Sequence, residues 1–245
     1  MGHESFSIVN VIPLLNLIPH EPPHDYSHVS YAIIVVVIVM ILATLGTMGL
    51  RKNQKKYFVP EARLTFRTAG EMIVEGILKL VKDNMGPRGP EFMMIIGALA
   101  LFIFTSNILG MIPGFHSPTA NINTTAACAV TVFCLTHYYG FREHGIKYLK
   151  QFVGPVIWLA PIMVPIELIS HFVRPVSLSV RLFGNIFGDH TAFAIFFTLV
   201  PLMIPIVMMV LGLFVAIVQT LVFILLSMAY FAGALEGHEH EEHEG

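Results

Sequence analysis

One stretch of this chain decides both its fold class and the place of its function: Glu167-Leu-Ile-Ser-His-Phe-Val-Arg-Pro-Val-Ser-Leu-Ser-Val-Arg-Leu-Phe-Gly-Asn185. Arg181 lies inside this apolar run, and its guanidinium group cannot lose its charge at physiological pH. Placing such a charge at the depth of a bilayer costs about 2.5–3.5 kcal/mol on insertion scales. We therefore expect Arg181 to face a partner of opposite charge or water.

The composition of the whole chain is that of a membrane protein. Of its 245 residues, 55% are hydrophobic and 12% are charged, and the mean hydropathy is +0.73. Soluble domains contain about 25% charged residues. Apolar runs of about 20 residues, enough for a helix to cross a bilayer, recur along the chain. They are too long for barrel strands and lack an alternation of period 2, so the predicted class is an all-α integral membrane protein.

Apolar runs and their breaks divide this single membrane domain into eight segments. They are an outer N-terminal segment (1–30), a transmembrane helix (31–50), an amphipathic surface helix (69–84), a transmembrane hairpin (91–113 and 120–141), two long, strongly tilted helices that form a second hairpin (153–199 and 206–232), and an acidic, histidine-rich tail (236–245). The first segment lacks the basic start of a cleaved signal peptide. Histidines in the two terminal segments are interpreted as solvated, with metal binding as the alternative.

The positive charges indicate how these helices are oriented. All 14 Lys and Arg residues fall in three places: nine between Arg51 and Arg88, three between Arg142 and Lys150, and the last two at Arg174 and Arg181. Basic loops of membrane proteins stay on the cytoplasmic side. The first two groups are therefore predicted to be cytoplasmic, and the N-terminus is predicted to lie outside.

The run 153–199 leaves two topologies open. As a single helix it would be about 70 Å long, so it must be strongly tilted or bent. If it crosses the membrane once, the segment 206–232 returns the C-terminus to the cytoplasm; if it crosses twice, the C-terminus lies outside. The positive-inside bias favours the single crossing. Between the two long helices, Pro201 and Pro205 are predicted to break the helix.

Polar residues form a stripe along the helix that carries the buried arginine. At 100° per residue, six of them fall within about 80° around the helix axis. They are Glu167, Ser170, Arg174, Ser177, Arg181 and Asn185. In lipid, a stripe of this kind must face the interior of a helix bundle or a water-filled cavity.

Arg181 has no carboxylate within reach in its own helix. Glu167 is 14 residues away, which is about 21 Å along a straight helix, and Asp189 is about 12 Å away and rotated by about 80°. Permanent pairing inside the chain is the simpler alternative, but these separations disfavour it. We therefore predict that the partner is a carboxylate on another chain.

Small and polar residues near the stripe allow two interpretations each. Gly184 and Gly188 would let another helix approach closely, although ordinary helix packing explains such a spacing as well. Gln219, on the last helix, can hydrogen-bond toward the guanidinium or simply satisfy its own amide. Asp189 and His190 form a second polar point, where His190 either carries protons near neutral pH or is a packed, hydrogen-bonded histidine.

Three segments resemble the a subunit of F-type ATP synthases. They are Thr105-Ser-Asn-Ile-Leu-Gly-Met-Ile-Pro113, Pro118-Thr-Ala-Asn-Ile-Asn123 and Pro175-Val-Ser-Leu-Ser-Val-Arg-Leu-Phe-Gly-Asn185, and Gln219 matches as well. The resemblance covers most of the chain from about Glu91 onward. It implies two long tilted helices, a cytoplasmic C-terminus and a bacterial inner membrane. The implied partners are the lipid bilayer, a rotor ring of c subunits and b-type peripheral stalk subunits.

The resemblance also implies a role for each polar residue. The arginine that matches Arg181 faces an acidic residue of the rotor ring, to which two offset aqueous half-channels deliver and remove protons. The resemblance implies that Glu167 and Ser170 line the cytoplasmic half-channel and that Asn185, His190 and Gln219 line or border the outer one. Ser177, from its place in the stripe, and Asp189, from its place beside His190, are predicted as further polar groups of the proton path.

The chain departs from the family pattern at three positions. Many bacterial members have Asp in place of Asn121, some have Glu in place of His190, and an ionisable residue often stands at the position of Gly212. Glycine cannot titrate. The outer half-channel is therefore expected to rely on Asp189, His190 and ordered water.

Other functional classes fit the sequence less well. A self-contained secondary ion transporter, the main alternative, needs a titratable acid opposite Arg181, and a non-transporting scaffold has no need of a polar stripe. Zinc-protease, phosphate-loop and nucleophile-elbow motifs are absent from the sequence. We therefore expect no catalysis by this chain alone, and predict no cofactor, no metal site and no nucleic-acid partner. The choice between H⁺ and Na⁺ depends mainly on the rotor subunit.

Overall fold

The computed structural model describes residues 27–47, 66–112, 115–145, 148, 160–199 and 204–235. Within these ranges the regular secondary structure is entirely helical. The α-helices are α1 (Ser27–Thr47), α2 (Phe66–Met85), α3 (Met93–Met111), α4 (Ile122–His144), α5 (Ala160–Leu199) and α6 (Ile204–Leu235), with short 3-10 helices at Gly86–Phe92 and Pro118–Ala120. The predicted all-α class is confirmed.

In the part of the chain that the structure describes, four helical stretches are long and apolar enough to cross a membrane, namely Ser27–Leu45, Gly70–Met111, Pro161–Phe193 and Val207–Leu235. The protein is therefore a multi-pass membrane protein, as predicted. Helix α4 is not one of the four, because its threonines and histidines make it more polar than its neighbours. Its 23 residues make about 34 Å of helix, enough to cross a bilayer, so its crossing stays a prediction. The surface position of α2 stays a prediction too.

Several predicted segments lie outside the described residues. They include most of the outer segment (1–26), the basic stretch 51–65, the beginning of the first long helix (153–159) and the histidine-rich tail (236–245).

Local sequence explains where the helices begin and end. Asn121 is the N-cap of α4, and its side-chain Oδ1 accepts a hydrogen bond from the backbone N–H of Asn123 over 2.9 Å. Asn and Asp cap helices about equally well, so an Asp at this position would serve the same role. At the other end, Gly145 has a φ of +54°, which favours glycine and ends α4.

Prolines act differently at different places along the two long helices. Pro165 and Pro175 lie inside α5, which nevertheless runs without a break from Ala160 to Leu199. The described part of α5 ends at Leu199 and α6 begins at Ile204, so the break predicted at Pro201 lies outside the described residues. Pro205 then occupies the first turn of α6, where proline removes no hydrogen bond.

The hydrophobic core lies where α2, α3, α4, α5 and α6 meet. Its fully buried members include Phe92, Ile103, Leu182, Phe223 and Phe231. The ring of Phe92 packs between Tyr139 of α4 and Phe231 of α6, with centroids 4.7 and 5.1 Å away. A second cluster, in which Tyr31 and Val35 pack against Leu109, attaches α1 to α3.

Two polar contacts join the helix ends near the second basic cluster. Arg88, in the 3-10 helix before α3, pairs with Glu143 in the last turn of α4 over 2.6 Å. The imidazole Nε2 of His144 lies 3.1 Å from the carbonyl oxygen of Leu235, the last residue of α6. Both contacts lie at the side predicted to be cytoplasmic.

Candidate functional site

Helix α5 carries the polar stripe along the border between the bundle and an uncovered face. Leu178, Leu182 and Ile186 lie on one side of the stripe and are buried in the core. On its other side Val173, Val176, Val180 and Phe187 are exposed. Of the stripe itself, Ser170, Ser177, Arg181 and Asn185 are exposed, and Glu167 and Arg174 are half-buried.

Arg181 is the exposed charge at the middle of this border. Among the described residues it forms no ion pair with an Asp or Glu side chain. Glu167, the acid that shares the stripe, lies instead within 3.3 Å of His171, measured from Oε1 to Nε2. The guanidinium of Arg181 is thus exposed on the lateral surface of the helix bundle, where a group on another chain can reach it.

Gln219 joins α6 to the stripe through Asn185. The amide Nδ2 of Asn185 donates a hydrogen bond to Oε1 of Gln219 over 2.5 Å, and Gln219 is only 3% exposed. The sequence allowed Gln219 to hydrogen-bond toward Arg181, but its partner in the structure is Asn185, one turn further along α5. The bond therefore connects the two long helices directly beside the arginine.

Two glycines leave the surface next to Arg181 uncovered. A methyl group added to Gly184 or Gly188 would meet no heavy atom within 4 Å beyond its own part of the helix. These residues therefore contribute nothing to packing within the described bundle. Small residues of this kind allow close approach of another helix to the backbone of α5.

Asp189 and His190, which are adjacent in sequence, have different surroundings. The imidazole of His190 points toward α3, since a Cβ added to Gly110 would lie 3.0 Å from its Nε2 and 2.5 Å from Cβ of Ser117. His116 is close enough to His190 for their charges to interact. Asp189 is half-buried and forms no ion pair within the described helices. The predicted second polar point thus consists of two adjacent residues whose side chains have different neighbours.

Gly212 faces the end of α3. A Cβ added there would lie 3.8 Å from Cε of Met111, so an apolar side chain borders this position. His190 and Gly212 therefore both border the Gly110-Met111 end of α3.

A buried chain of polar groups at this end of α3 was not singled out from the sequence. The hydroxyl of Ser117 donates to the carbonyl oxygen of Ser106 over 2.9 Å and lies 2.6 Å from that of Thr119, which donates to Oδ1 of Asn107 over 2.8 Å. All four residues are buried. Three of them, Ser106, Asn107 and Thr119, lie in two of the segments that carry the family resemblance, and Ser117 directly precedes the second. This clustering was the available signal.

A second group of polar and aromatic side chains lies where α4, α5 and α6 meet, and of its members only Arg174 belongs to the stripe. The rings of His137 and His171 have centroids 5.3 Å apart, and the guanidinium of Arg174 lies over the ring of Tyr230 at 5.7 Å. His171 lies about 80° around α5 from Arg181, outside the stripe. No set of three His, Cys, Asp or Glu side chains in the described part of the chain is arranged to hold a metal ion.

Comparison with known proteins gives one consistent family. A family model described as ATP synthase A chain matches residues 29–232. The chain is 52% identical over 188 residues to ATP synthase subunit a 2 of Syntrophotalea carbinolica, covering 77% of this chain and 79% of the relative. It is 53% identical over 169 residues to ATP synthase subunit a of Geotalea daltonii (69% and 74% covered). It is 50% identical over 166 residues to that of Geobacter sulfurreducens (68% and 72%).

Proposed function

Because the chain belongs to the ATP synthase subunit a family, we propose that it is the stationary proton-conducting subunit of a rotary F-type ATP synthase in a bacterial inner membrane. In this role Arg181 faces a carboxylate on a rotor ring of c subunits, and b-type peripheral stalk subunits hold the chain still. The chain conducts protons and carries out no catalysis by itself; other subunits make the ATP.

The observation that carries this proposal is the exposure of Arg181 at the border of an uncovered apolar face. A charge in such a position is tolerated in a membrane only when a partner or water reaches it. Val176, Val180 and Phe187 supply an exposed apolar surface beside it, and Gly184 lets a neighbouring helix come close. A ring of apolar helices, each with one acidic residue, has the complementary surface.

The chemistry of a guanidinium suits this role. Its fixed positive charge favours the ionised form of a carboxylate that passes in front of it, so the rotor group releases its proton before it meets Arg181. Because the guanidinium cannot itself be deprotonated, no proton can cross through it. Arg181 thus separates two proton pathways while it allows the ring to turn.

We place these two pathways on opposite sides of Arg181 along α5. Glu167, Ser170 and Ser177 precede it and belong to the cytoplasmic half-channel. The outer half-channel contains Asn185, Asp189, His190 and Gln219, with the N-terminus outside and the C-terminus in the cytoplasm. One elementary charge that crosses 100 mV releases about 2.3 kcal/mol, so several protons must cross for each ATP made.

Cross-linking to the rotor ring tests the proposal. Cys128 and Cys134 are first replaced by alanine, since they are the only native cysteines. Val180→Cys on the uncovered face of α5 and Val130→Cys on α4 are a matched pair, because both valines are 51% exposed. In the intact complex, Val180→Cys should cross-link to a cysteine in the membrane helix of the c subunit, and Val130→Cys should not. The proposal fails if Val180→Cys gives no cross-link to the ring, or if both positions cross-link to it equally.

A further inference from the structure

Three titratable side chains meet where the cytoplasmic halves of α4 and α5 pack together. Nε2 of His171 lies 3.3 Å from Oε1 of Glu167, and the ring of His137 lies edge-on to that of His171 at a centroid distance of 5.3 Å. Only 4% of the surface of His171 is exposed, whereas Glu167 and His137 are half-buried. The group therefore runs from a partly accessible carboxylate to a buried imidazole and on to a second imidazole.

The local geometry fixes which nitrogen of His137 can take up a proton. Its Nδ1 lies 2.9 Å from the backbone carbonyl oxygen of Phe133, one turn earlier in α4. A carbonyl oxygen only accepts hydrogen bonds, so Nδ1 carries the hydrogen, and the lone pair of the neutral ring is on Nε2. His137 is thus held in the tautomer that accepts a proton at Nε2.

Charged and titratable groups from α5 and α6, and Tyr148, surround the rings of His137 and His171. Arg174, one turn further along α5, interacts electrostatically with both His171 and Tyr148. The ring of Tyr148 lies edge-on to His137 at 5.9 Å. From α6, Tyr230 covers the guanidinium of Arg174. A small cleft between α4, α5 and α6 is lined by both histidines and Arg174.

The two histidines lie on the side of Arg181 that is predicted to be cytoplasmic. His171 precedes the arginine by ten residues, which is about 15 Å along α5, on the same side as Glu167. The hydroxyl of Ser177 lies between them along the helix. A proton that travels between the cytoplasm and the face of Arg181 therefore passes the level of both imidazoles.

We propose that His137 and His171, together with Glu167, form a proton-transfer relay of the cytoplasmic half-channel. This inference rests on the proposed function of the chain. Because Nδ1 of His137 keeps its hydrogen on the carbonyl oxygen of Phe133, Nε2 of this ring both accepts and releases the mobile proton, and each transfer breaks one N–H or O–H bond and makes another. Because two imidazolium ions 5.3 Å apart beside a guanidinium repel one another, the pair holds one mobile proton at a time.

The test uses the complete complex in inverted membrane vesicles, in which the cytoplasmic face is outside and its pH can be set independently. His137→Gln and His171→Gln remove one titratable group each, and His144→Gln is the control, since His144 lies at the end of α4 outside this group. ATP-driven proton pumping is measured per assembled complex between about pH 6 and 8. Both test variants should lower the rate several-fold and flatten its dependence on the cytoplasmic pH. The control variant, and the dependence on the pH inside the vesicles, should match the wild type.

A second variant keeps the test decisive if His171→Gln disturbs assembly. His137→Glu replaces the imidazole with another proton carrier whose ordinary pKa is lower, about 4.3 against about 6.5. It should preserve pumping better than His137→Gln and move the pH profile toward acid. Profiles of the His137 variants that match the wild type would overturn the relay.

Arg181→Ala in the same vesicles separates this proposal from the one on which it rests. If Arg181→Ala leaks protons and the histidine variants behave like the wild type, the relay alone is wrong. If Arg181→Ala pumps normally, the proposed function is wrong and the relay is overturned with it.

Discussion

Asn185 and Gln219 bind each other across the two long helices, with Nδ2 of the first 2.5 Å from Oε1 of the second. Asn185 lies one turn after Arg181, so this bond fixes α6 against α5 beside the exposed guanidinium. Gln219 is buried, whereas Asn185 is exposed. Removing the glutamine therefore affects the packing of α6, and removing the asparagine mainly leaves a buried acceptor without its partner.

A double-mutant cycle should measure this bond. Asn185→Ala and Gln219→Ala should each destabilise the subunit, Gln219→Ala by more, and their coupling should be about 0.6 kcal/mol, the average for hydrogen bonds between membrane helices. The free energy of unfolding is measured by denaturant titration in mixed micelles. Ser177→Ala combined with Gln219→Ala is the control, and these two effects should simply add. Additivity of Asn185→Ala and Gln219→Ala would mean that the bond is not formed in the membrane.

Two substitutions of Arg181 should distinguish the effect of its positive charge from the effect of its planar shape. Arg181→Lys keeps the positive charge but lacks the planar fork of donors, so proton-driven ATP synthesis should fall to background while the complex still assembles. Arg181→Ala should in addition let protons leak passively, because no fixed charge separates the two pathways. ATP synthesis and passive proton flux are measured in vesicles that contain equal amounts of complex. Synthesis at the wild-type rate by the lysine variant would contradict this account of Arg181.

His190→Gln should slow proton flux without uncoupling the enzyme. A glutamine can still pack against Gly110 and hydrogen-bond, but it cannot change its charge between about pH 6 and 8. The flux per assembled complex should therefore fall, and its dependence on the pH of the outer face should weaken. The dependence on the pH of the cytoplasmic face serves as the internal control and should stay the same. A packing histidine would instead reduce assembly and leave the flux per complex unchanged.

Cysteine labelling should establish the topology. Asn123 and Arg142 are exposed at opposite ends of α4, whereas neighbouring Pro118 is buried and unsuitable for labelling. In a cysteine-free background, Asn123→Cys should react with a membrane-impermeant reagent only from the outer side. Arg142→Cys and His240→Cys should react only from the cytoplasmic side. Labelling of His240→Cys from outside would show that the run 153–199 crosses twice.

The polar stripe was predictable from the sequence because it depends on helix geometry alone. Helix α5 extends without a break over all six positions, so a constant angle per residue places Glu167 and Asn185 on the same side as Arg181. The all-α class was predictable too, because apolar runs of this length can form few other structures in a bilayer.

The partners of the stripe residues were not predictable, because they depend on how the helices pack. Glu167 binds His171, which the angular criterion left out, and Gln219 binds Asn185 rather than Arg181. The proximity of His137 to His171 joins residues 34 positions apart on different helices. Only the register between antiparallel helices brings such residues together, and no local pattern encodes that register.

The one-sided packing of α5 also has a mechanical consequence. If the proposed rotor ring turns against the uncovered face, it pushes α5 sideways, toward Leu178, Leu182 and Ile186, which are buried in the core. Protein interiors have low compressibility, so the core residues behind α5 move little under such a lateral force. The exposed ion pair of Arg88 with Glu143 adds little stiffness, because surface pairs are weak. Helix α5 is thus supported on its buried side by a core of low compressibility. The position of Arg181 therefore changes little when the proposed ring moves past the uncovered side.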